Sequence, residues 1–266
     1  MFETLGAGEA AWAGKTYEEV RSIAGNDGSV LIVPVGSIEQ HGGHLPVGTD
    51  SILVDAVAEL GTQRVRDSVP ILKTPPVWTG FSPHHMTFGG TITLEFDTCL
   101  TVLEQVADSA LDNGFDALLL LNGHGGNKSL ISAAVTTIGE DHEDIEVLGL
   151  TYFELASAFI DDIRDSELGG MAHGGEFETS LMLHLRPELV DTDRYDAEML
   201  DEYYDRGTKD LVEDGPLAVY RGFEEYSASG AIGAPELATE EKGEEIYRLL
   251  GDELETILRD VHEQNC

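Results

Sequence analysis

Val30-Leu31-Ile32-Val33-Pro34-Val35 is a continuous apolar, β-branched run that ends at Gly36. A strand with one wet face alternates apolar and polar side chains. A run without alternation suits a strand buried on both faces, as in a parallel sheet. Ala117 to Leu121 repeats the pattern, and Ile145 to Tyr152 adds Val147, Leu148 and Leu150. Ile71 to Val77, shortened by Pro75-Pro76, and Thr91-Ile92-Thr93-Leu94 read as two further strands. Between them, apolar-periodic stretches predict helices from Ser51 to about Arg66, from a cap at Asp97 to about Asn113, and from about Asn127 to Gly139. Phe177 to Leu185 and about Thr239 to His262 read as the last two helices. Strands alternating with helices imply an α/β fold with a mostly parallel sheet, whose sites form beyond the carboxyl ends of the strands. No repeat or linker divides the chain, so residues 1–266 are expected to form a single domain, with an acidic helical C-terminal region over 186–266.

The charge bounds the partners. Fifty-one Asp and Glu against fifteen Lys and Arg give a formal net charge of −36. Phosphate-backbone recognition needs a cationic face, which excludes nucleic acid as a partner, and the same balance argues against an anionic membrane. At 41% hydrophobic the chain can still build a core. Two cysteines cannot make a disulfide framework, and the N-terminal stretch shows no basic start followed by an apolar run, so a soluble cytoplasmic protein is expected. Residues 1–29, 30–130 and 131–266 carry net charges of −3, −7 and −26. The acids are interspersed at helical spacing, as in Glu240 to Leu250, and lysines number five against ten arginines. Such a pattern resembles proteins of salt-loving microbes, where screening removes self-repulsion.

The histidines locate the chemistry. Six of nine (His41, His44, His84, His85, His124, His173) lie in glycine- or proline-containing loops, and two of those loops follow predicted core strands. In Gly36-Ser37-Ile38-Glu39-Gln40-His41, Glu39 and His41 are two residues apart and project to one side of an extended segment, with Asp50 at the start of the next helix. Carboxylate with imidazole is a ligand set for zinc, manganese or iron. Taken alone, the loop fits equally well as surface decoration with Thr49 or Asp50 capping a helix. Asn122-Gly123-His124-Gly125-Gly126-Asn127, directly after a buried strand, lacks the lysine and glycine spacing of a phosphate loop and fits a ligating His124 better. In His173-Gly174-Gly175-Glu176-Phe177-Glu178, the two glutamates stand about 200° apart on a helix, so one of them faces the site.

Together these motifs, with Ser82-Pro83-His84-His85-Met86-Thr87-Phe88-Gly89-Gly90-Thr91, resemble the creatininase family of metal-dependent amidohydrolases, in consistent order from about residue 30 to 185. The resemblance implies a three-layer α/β/α fold and two divalent ions, zinc or manganese, with iron a third candidate. Glu39 and His41 would bind different ions, Asp50 would bridge them and His124 would complete one shell. The loop of creatininase itself reads Asn-Gly-His-Tyr-Glu-Asn, its glutamate ligating the second ion; here Gly125-Gly126 stand in place of Tyr-Glu. Glu178 is the substitute ligand, with Glu176 second. His173 would give a proton to the leaving nitrogen, while Ser82, His84, His85 and Gly125 fall on the substrate side. Asn122 and Asn127 would fix the glycine loop by side-chain-to-backbone bonds.

The implied reaction is attack of a metal-bridging hydroxide on a small-molecule amide, cyclic rather than peptide. The resemblance also covers formamide hydrolases of flavin and deazaflavin biosynthesis that act on a pyrimidine nucleotide, and peptidases of a redox-cofactor precursor. Residues 30–130 offer a nucleotide only Arg64, Arg66, Lys73 and Lys128. A non-catalytic metal-binding scaffold is the reading from another class. The family also implies a ring-like homo-oligomer, such as a hexamer.

Overall fold

The computed structural model describes residues 6–200, 204–213 and 215–266. Four strands, β1 (Val30–Val35), β2 (Ile71–Lys73), β3 (Ala117–Asn122) and β4 (Glu146–Thr151), form one fully parallel sheet in the order β2-β1-β3-β4. β1 and β3 pair over all six residues, from Val30 with Ala117 to Val35 with Asn122, and Asn122 is in turn level with Thr151 of β4. The chain therefore leaves three strands at one height, and the loops that carry the histidines start from that edge.

The side-chain period of two splits the central strands between two cores. Val30 and Ile32 of β1, with Leu119 and Leu121 of β3, face α2 (Thr49–Val65), α5 (Glu176–Leu185) and α6 (Glu240–Gln264). Leu31, Val33, Leu118 and Leu120 face α1 (Tyr17–Ala24), α3 (Phe96–Leu111) and α4 (Lys128–Asp141). This is the three-layer α/β/α arrangement, with both faces of β1 and β3 dry because helices cover both. Each fully buried Leu or Val contributes roughly 1.5–3 kcal/mol of transfer free energy. In α6, Ile246, Leu250, Leu254, Leu258 and Val261 are buried while Glu241, Glu244, Glu245, Asp252 and Asp260 are exposed, so the acids occupy the solvated face.

Several local expectations change. β2 stops at Lys73 because Pro75 and Pro76 supply no N–H; the chain still runs beside β1, with Thr74 N bonded to Ile32 O (3.0 Å) and Val77 N to Pro34 O (2.9 Å). Thr91 to Leu94 is not a strand of the sheet: Ile92 and Thr93 make single bridges to Ile38 and Gly80 in the site loops. Asp97 lies in the first turn of α3, whose cap residue is Glu95 with no side-chain bond. The described residues of 186–239 are not helical as expected but run as loops and short 3₁₀ turns, with Pro187, Pro216 and Pro235 among them. Among the described residues, no helix is long and apolar enough to cross a membrane.

Candidate metal centre

After β1 the chain folds back on itself, Glu39 N bonding Val47 O at 2.9 Å, which brings Glu39 and His41 over the first turn of α2, where Asp50 sits. After β3, Asn122 braces its own loop: its Oδ1 accepts His124 N (3.1 Å) and its Nδ2 donates to His124 O (2.8 Å). Asn127 ties three loops together, accepting Phe81 N (2.9 Å) and donating to Gly36 O (3.1 Å). Glu178, in the first turn of α5, reaches back to accept Gly174 N at 2.7 Å. Glu39, His41, Asp50, His124, His173 and Glu178 are all buried and fall into overlapping groups of ligand atoms, each within 4.8 Å, among the described residues.

Hydrogen bonds fix which nitrogen of each ring faces those ligand atoms. His41 Nδ1 lies 3.1 Å from the carbonyl of Glu39, and a carbonyl only accepts, so Nδ1 carries the proton. Its Nε2 is left against Asp50 Oδ1 (3.0 Å) and Glu178 Oε1 (3.7 Å). His124 repeats the device: Nε2 donates toward Phe81 O (3.3 Å) and Ser82 Oγ (3.0 Å), and Nδ1 faces Glu39 Oε1 (3.2 Å) and Asp50 Oδ2 (3.3 Å). Two lone pairs thus point at carboxylate oxygens, and Glu39 Oε2 and Asp50 Oδ2 are buried without a hydrogen bond. Only a positive charge relieves that arrangement, either a proton on each ring or a cation between the groups.

The titration behaviour shows the same strain. Burial pulls His41 down, but Asp50 and Glu178 raise its pKa well above the usual value. His124, likewise opposed by burial, is lifted to about 10 by Glu39 and Asp50. Burial pushes Glu39 up, but His124 and His85 hold it well below the usual carboxylate range. His173 goes the other way: burial, then His41 and His85, keep it well below 6.5, so it is neutral. The donor atoms form three groups able to hold an ion, Glu39–Asp50–His124, His41–His173–Glu178 and Glu39–His85–His173. Oxygen and imidazole nitrogen donors with orphaned carboxylate oxygens fit a borderline divalent metal.

Above the carboxylates lie His173, His85 and Phe223. The Phe223 ring is 4.0 Å from His85, 4.8 Å from His173 and 5.2 Å from His84. Ser82, expected on the substrate side, is fully buried beside His124, bonded to its Nε2 and to Ser37 (2.7 Å). His85 is also fully buried, 3.2 Å from Glu39 Oε1. His84 is half-buried, its ring stacked 5.7 Å from His124, and burial first, then His85 and His124, bring its pKa down to about 3. Gly125 is exposed with open space where a side chain would be. Gly126 is the opposite: a Cβ there would lie 2.4 Å from His124 Nε2 and 2.8 Å from Phe81 O, so no glutamate fits at that position. Glu176 faces away from the cluster, buried against Lys242 and accepting Asp165 N (3.0 Å) and Ser166 N (2.9 Å).

Two residues at the site escape sequence reasoning. Gln40 gave no signal beyond its place between Glu39 and His41, and Phe223 sits in a stretch without motif or periodicity.

Comparison with known proteins gives this geometry its context. The mycofactocin precursor peptide peptidase of Mycobacterium ulcerans is 31% identical over 228 residues, 84% of this chain and 82% of that protein. The creatinine amidohydrolase of Pseudomonas putida is 29% identical over 270 residues, 94% of each. A solved structure of creatininase with Mn has a TM-score of 0.81 at 27% identity, covering 94% of this chain and 97% of its own. A Zn-Zn type structure of a creatininase mutant reaches 0.78 at 27%, covering 94% and 96%. The family described as creatininase, creatinine amidohydrolase, matches residues 13–258. With that match running through every loop of the buried cluster, the chain belongs to the creatininase family and is a hydrolase.

Proposed function

We propose that the chain is a metal-dependent amidohydrolase that splits an amide C–N bond with water, at two divalent metal sites. Glu39, Asp50 and His124 would hold one ion, and His41, Asp50 and Glu178 the other, zinc or manganese in each. The observation that carries this reading is the pair of histidines whose outer N–H groups are committed to backbone carbonyls, leaving the inner lone pairs against carboxylates. Glu178 takes the place of the glutamate that Gly126 excludes.

Divalent ions held by these residues would supply Lewis-acid chemistry, making water more acidic and an amide carbonyl more electrophilic. His173 moves the proton. Its Nε2–H is held by the carbonyl of Gln40 at 2.5 Å, so its Nδ1 lone pair faces Glu39 Oε1 at 3.8 Å, beside the reacting atoms. Being neutral, it first accepts a proton from the attacking water and then returns it to the leaving nitrogen as the C–N bond breaks. Phe223 and the buried histidines exclude bulk water above the carboxylates. A small, non-peptide cyclic amide is the first choice of substrate, bound beside His84. A peptide is the second, favoured by the open space at Gly125.

The test is metal analysis of the protein and of His124→Ala, with a panel of cyclic amides, formamides and peptides assayed at molar salt with zinc, manganese and iron supplied separately. Full metal content and hydrolysis in His124→Ala would reject the centre. Tight metal binding without turnover of any amide would make the chain a metal-binding scaffold.

A further inference from the structure

Gln40 lies between two proposed ligands, yet its side chain reaches the two histidines above them, His85 and His173. Its side chain is buried, with Oε1 accepting Gly42 N at 2.9 Å. Nε2 lies 2.8 Å from His85 Nδ1, 3.0 Å from Gly230 O and 3.2 Å from His173 Nε2. The amide orientation is fixed by its neighbours, because a flipped amide would set its NH₂ against the Gly42 N–H and its oxygen against the Gly230 carbonyl. Nε2 has two hydrogens. One goes to Gly230 O. His173 Nε2 cannot take the other, since it already donates to the Gln40 carbonyl. The second therefore goes to His85 Nδ1, which leaves the His85 proton on Nε2, 3.2 Å from Glu39 Oε1.

We propose that Gln40 is a positioning residue that fixes the tautomers of the two histidines above the carboxylates: its side chain occupies His85 Nδ1 and so leaves the proton on the inward Nε2, which lies 3.2 Å from Glu39 Oε1 without a hydrogen bond, and its carbonyl makes His173 an acceptor at Nδ1. The assignment removes His85 from the possible metal ligands, because its inward nitrogen holds a proton. It leaves His173 as the ring with a lone pair free for the reaction.

A second residue enforces the arrangement from the far end of the chain. Gly230 has φ +89°, and a Cβ on it would lie 2.1 Å from Gln40 Oε1. Any side chain there must push the amide out of place. The loop is itself pinned, with Gly230 N bonded to Ser227 Oγ (3.1 Å) and Ser227 Oγ bonded to Glu198. Gly230 thus acts on His85 through Gln40 without touching the metal groups.

The experiment reads the tautomers directly by ¹⁵N NMR of the imidazoles in zinc-loaded protein, with Gln40→Glu, Gln40→Leu and Gly230→Ala as variants. In the unaltered protein both His85 and His173 carry the proton on Nε2. Gln40→Glu, whose carboxylate can only accept, moves the His85 proton to Nδ1. Gly230→Ala and Gln40→Leu release His85 to a tautomer mixture, with zinc content kept. Loss of function in the variants falls on kcat by roughly 10–100-fold, as for groups that orient metal-site residues, with KM little changed. Gly230→Ala adds no further loss in a Gln40→Leu background. An Nδ1–H His85 in the unaltered protein, unchanged tautomers in Gln40→Glu, or additive losses would each overturn the proposal. It rests on the amidohydrolase reading only for the kcat effect; if no amide is turned over, that reading fails while the NMR arm still decides this one.

Discussion

His41 Nε2 lies 3.0 Å from Asp50 Oδ1, both groups buried, with the other nitrogen of the ring committed to the Glu39 carbonyl. Without metal, that contact needs a proton. A histidine whose pKa in the folded chain exceeds its unfolded value near 6.5 stabilises the fold fully below that value and loses the contribution as pH rises to the folded one. His124, at about 10, and His41, also raised, therefore predict that chelated protein loses thermal stability between pH ~6.5 and ~10. Metal-loaded protein escapes this loss, and metal uptake at neutral pH releases protons. Thermal melts across that range, with calorimetry in buffers of different ionisation enthalpy, measure both. A flat profile in chelated protein contradicts the assignment.

Gly126 and Gly125 are adjacent and respond oppositely to substitution. Gly126→Ala drives a methyl into His124 and Phe81 O and is expected to cost roughly 1–3 kcal/mol of stability, with weaker metal binding. Gly125→Ala meets open space and leaves both unchanged. Denaturant melts with metal titration on the pair check this; equal effects would mean the loop sits differently.

Phe223→Ala uncovers His85 and His173 while leaving every proposed ligand in place. Activity is expected to fall about tenfold, or ~1.4 kcal/mol of transition-state stabilisation, at unchanged metal content. Loss of metal instead would show that Phe223 holds the centre together structurally.

The pair between Lys242 on α6 and the wholly buried Glu176 on α5 fixes the start of the helix that carries Glu178. Lys242→Met leaves the Glu176 carboxylate buried and half-satisfied, at a cost of about 3 kcal/mol. Replacing both, with Glu176→Gln, should recover part of that loss. A double-mutant cycle in urea measures it, and additive losses would deny the coupling.

Raising KCl from ~0.1 M to ~1 M shortens the screening length from about 10 Å to about 3 Å. With acids concentrated on the open face of α6, the melting temperature should climb steadily over that range. No climb would count against reading the surface charge as an adaptation to salt.

The strands and most helices were legible because burial on both faces and helical periodicity leave direct marks on sequence, as in Val30–Val35 and α6. Glu39, His41, Asp50 and His124 were legible as candidates because polar residues after buried strands have no packing explanation. The depth of Ser82 and His85 was not legible because a motif shows spacing but not burial; both are fully buried, Ser82 just before a 3₁₀ turn and His85 on it. Phe223 and Gly230 were invisible because their meaning comes from contacts with residues far away in sequence, held by a loop with no period of its own.

The residues proposed as metal ligands fall between Glu39 and Glu178, whereas Phe223, against His85 and His173, and Gly230, against Gln40, come from a later loop region. Anchor and cover are thus inherited from separate stretches. Mutation can remodel the cover, and with it the molecules admitted, while the sheet edge that gathers the charges stays as it is. Descendants of one such scaffold can diverge in diet without reinventing their hydrolytic machinery.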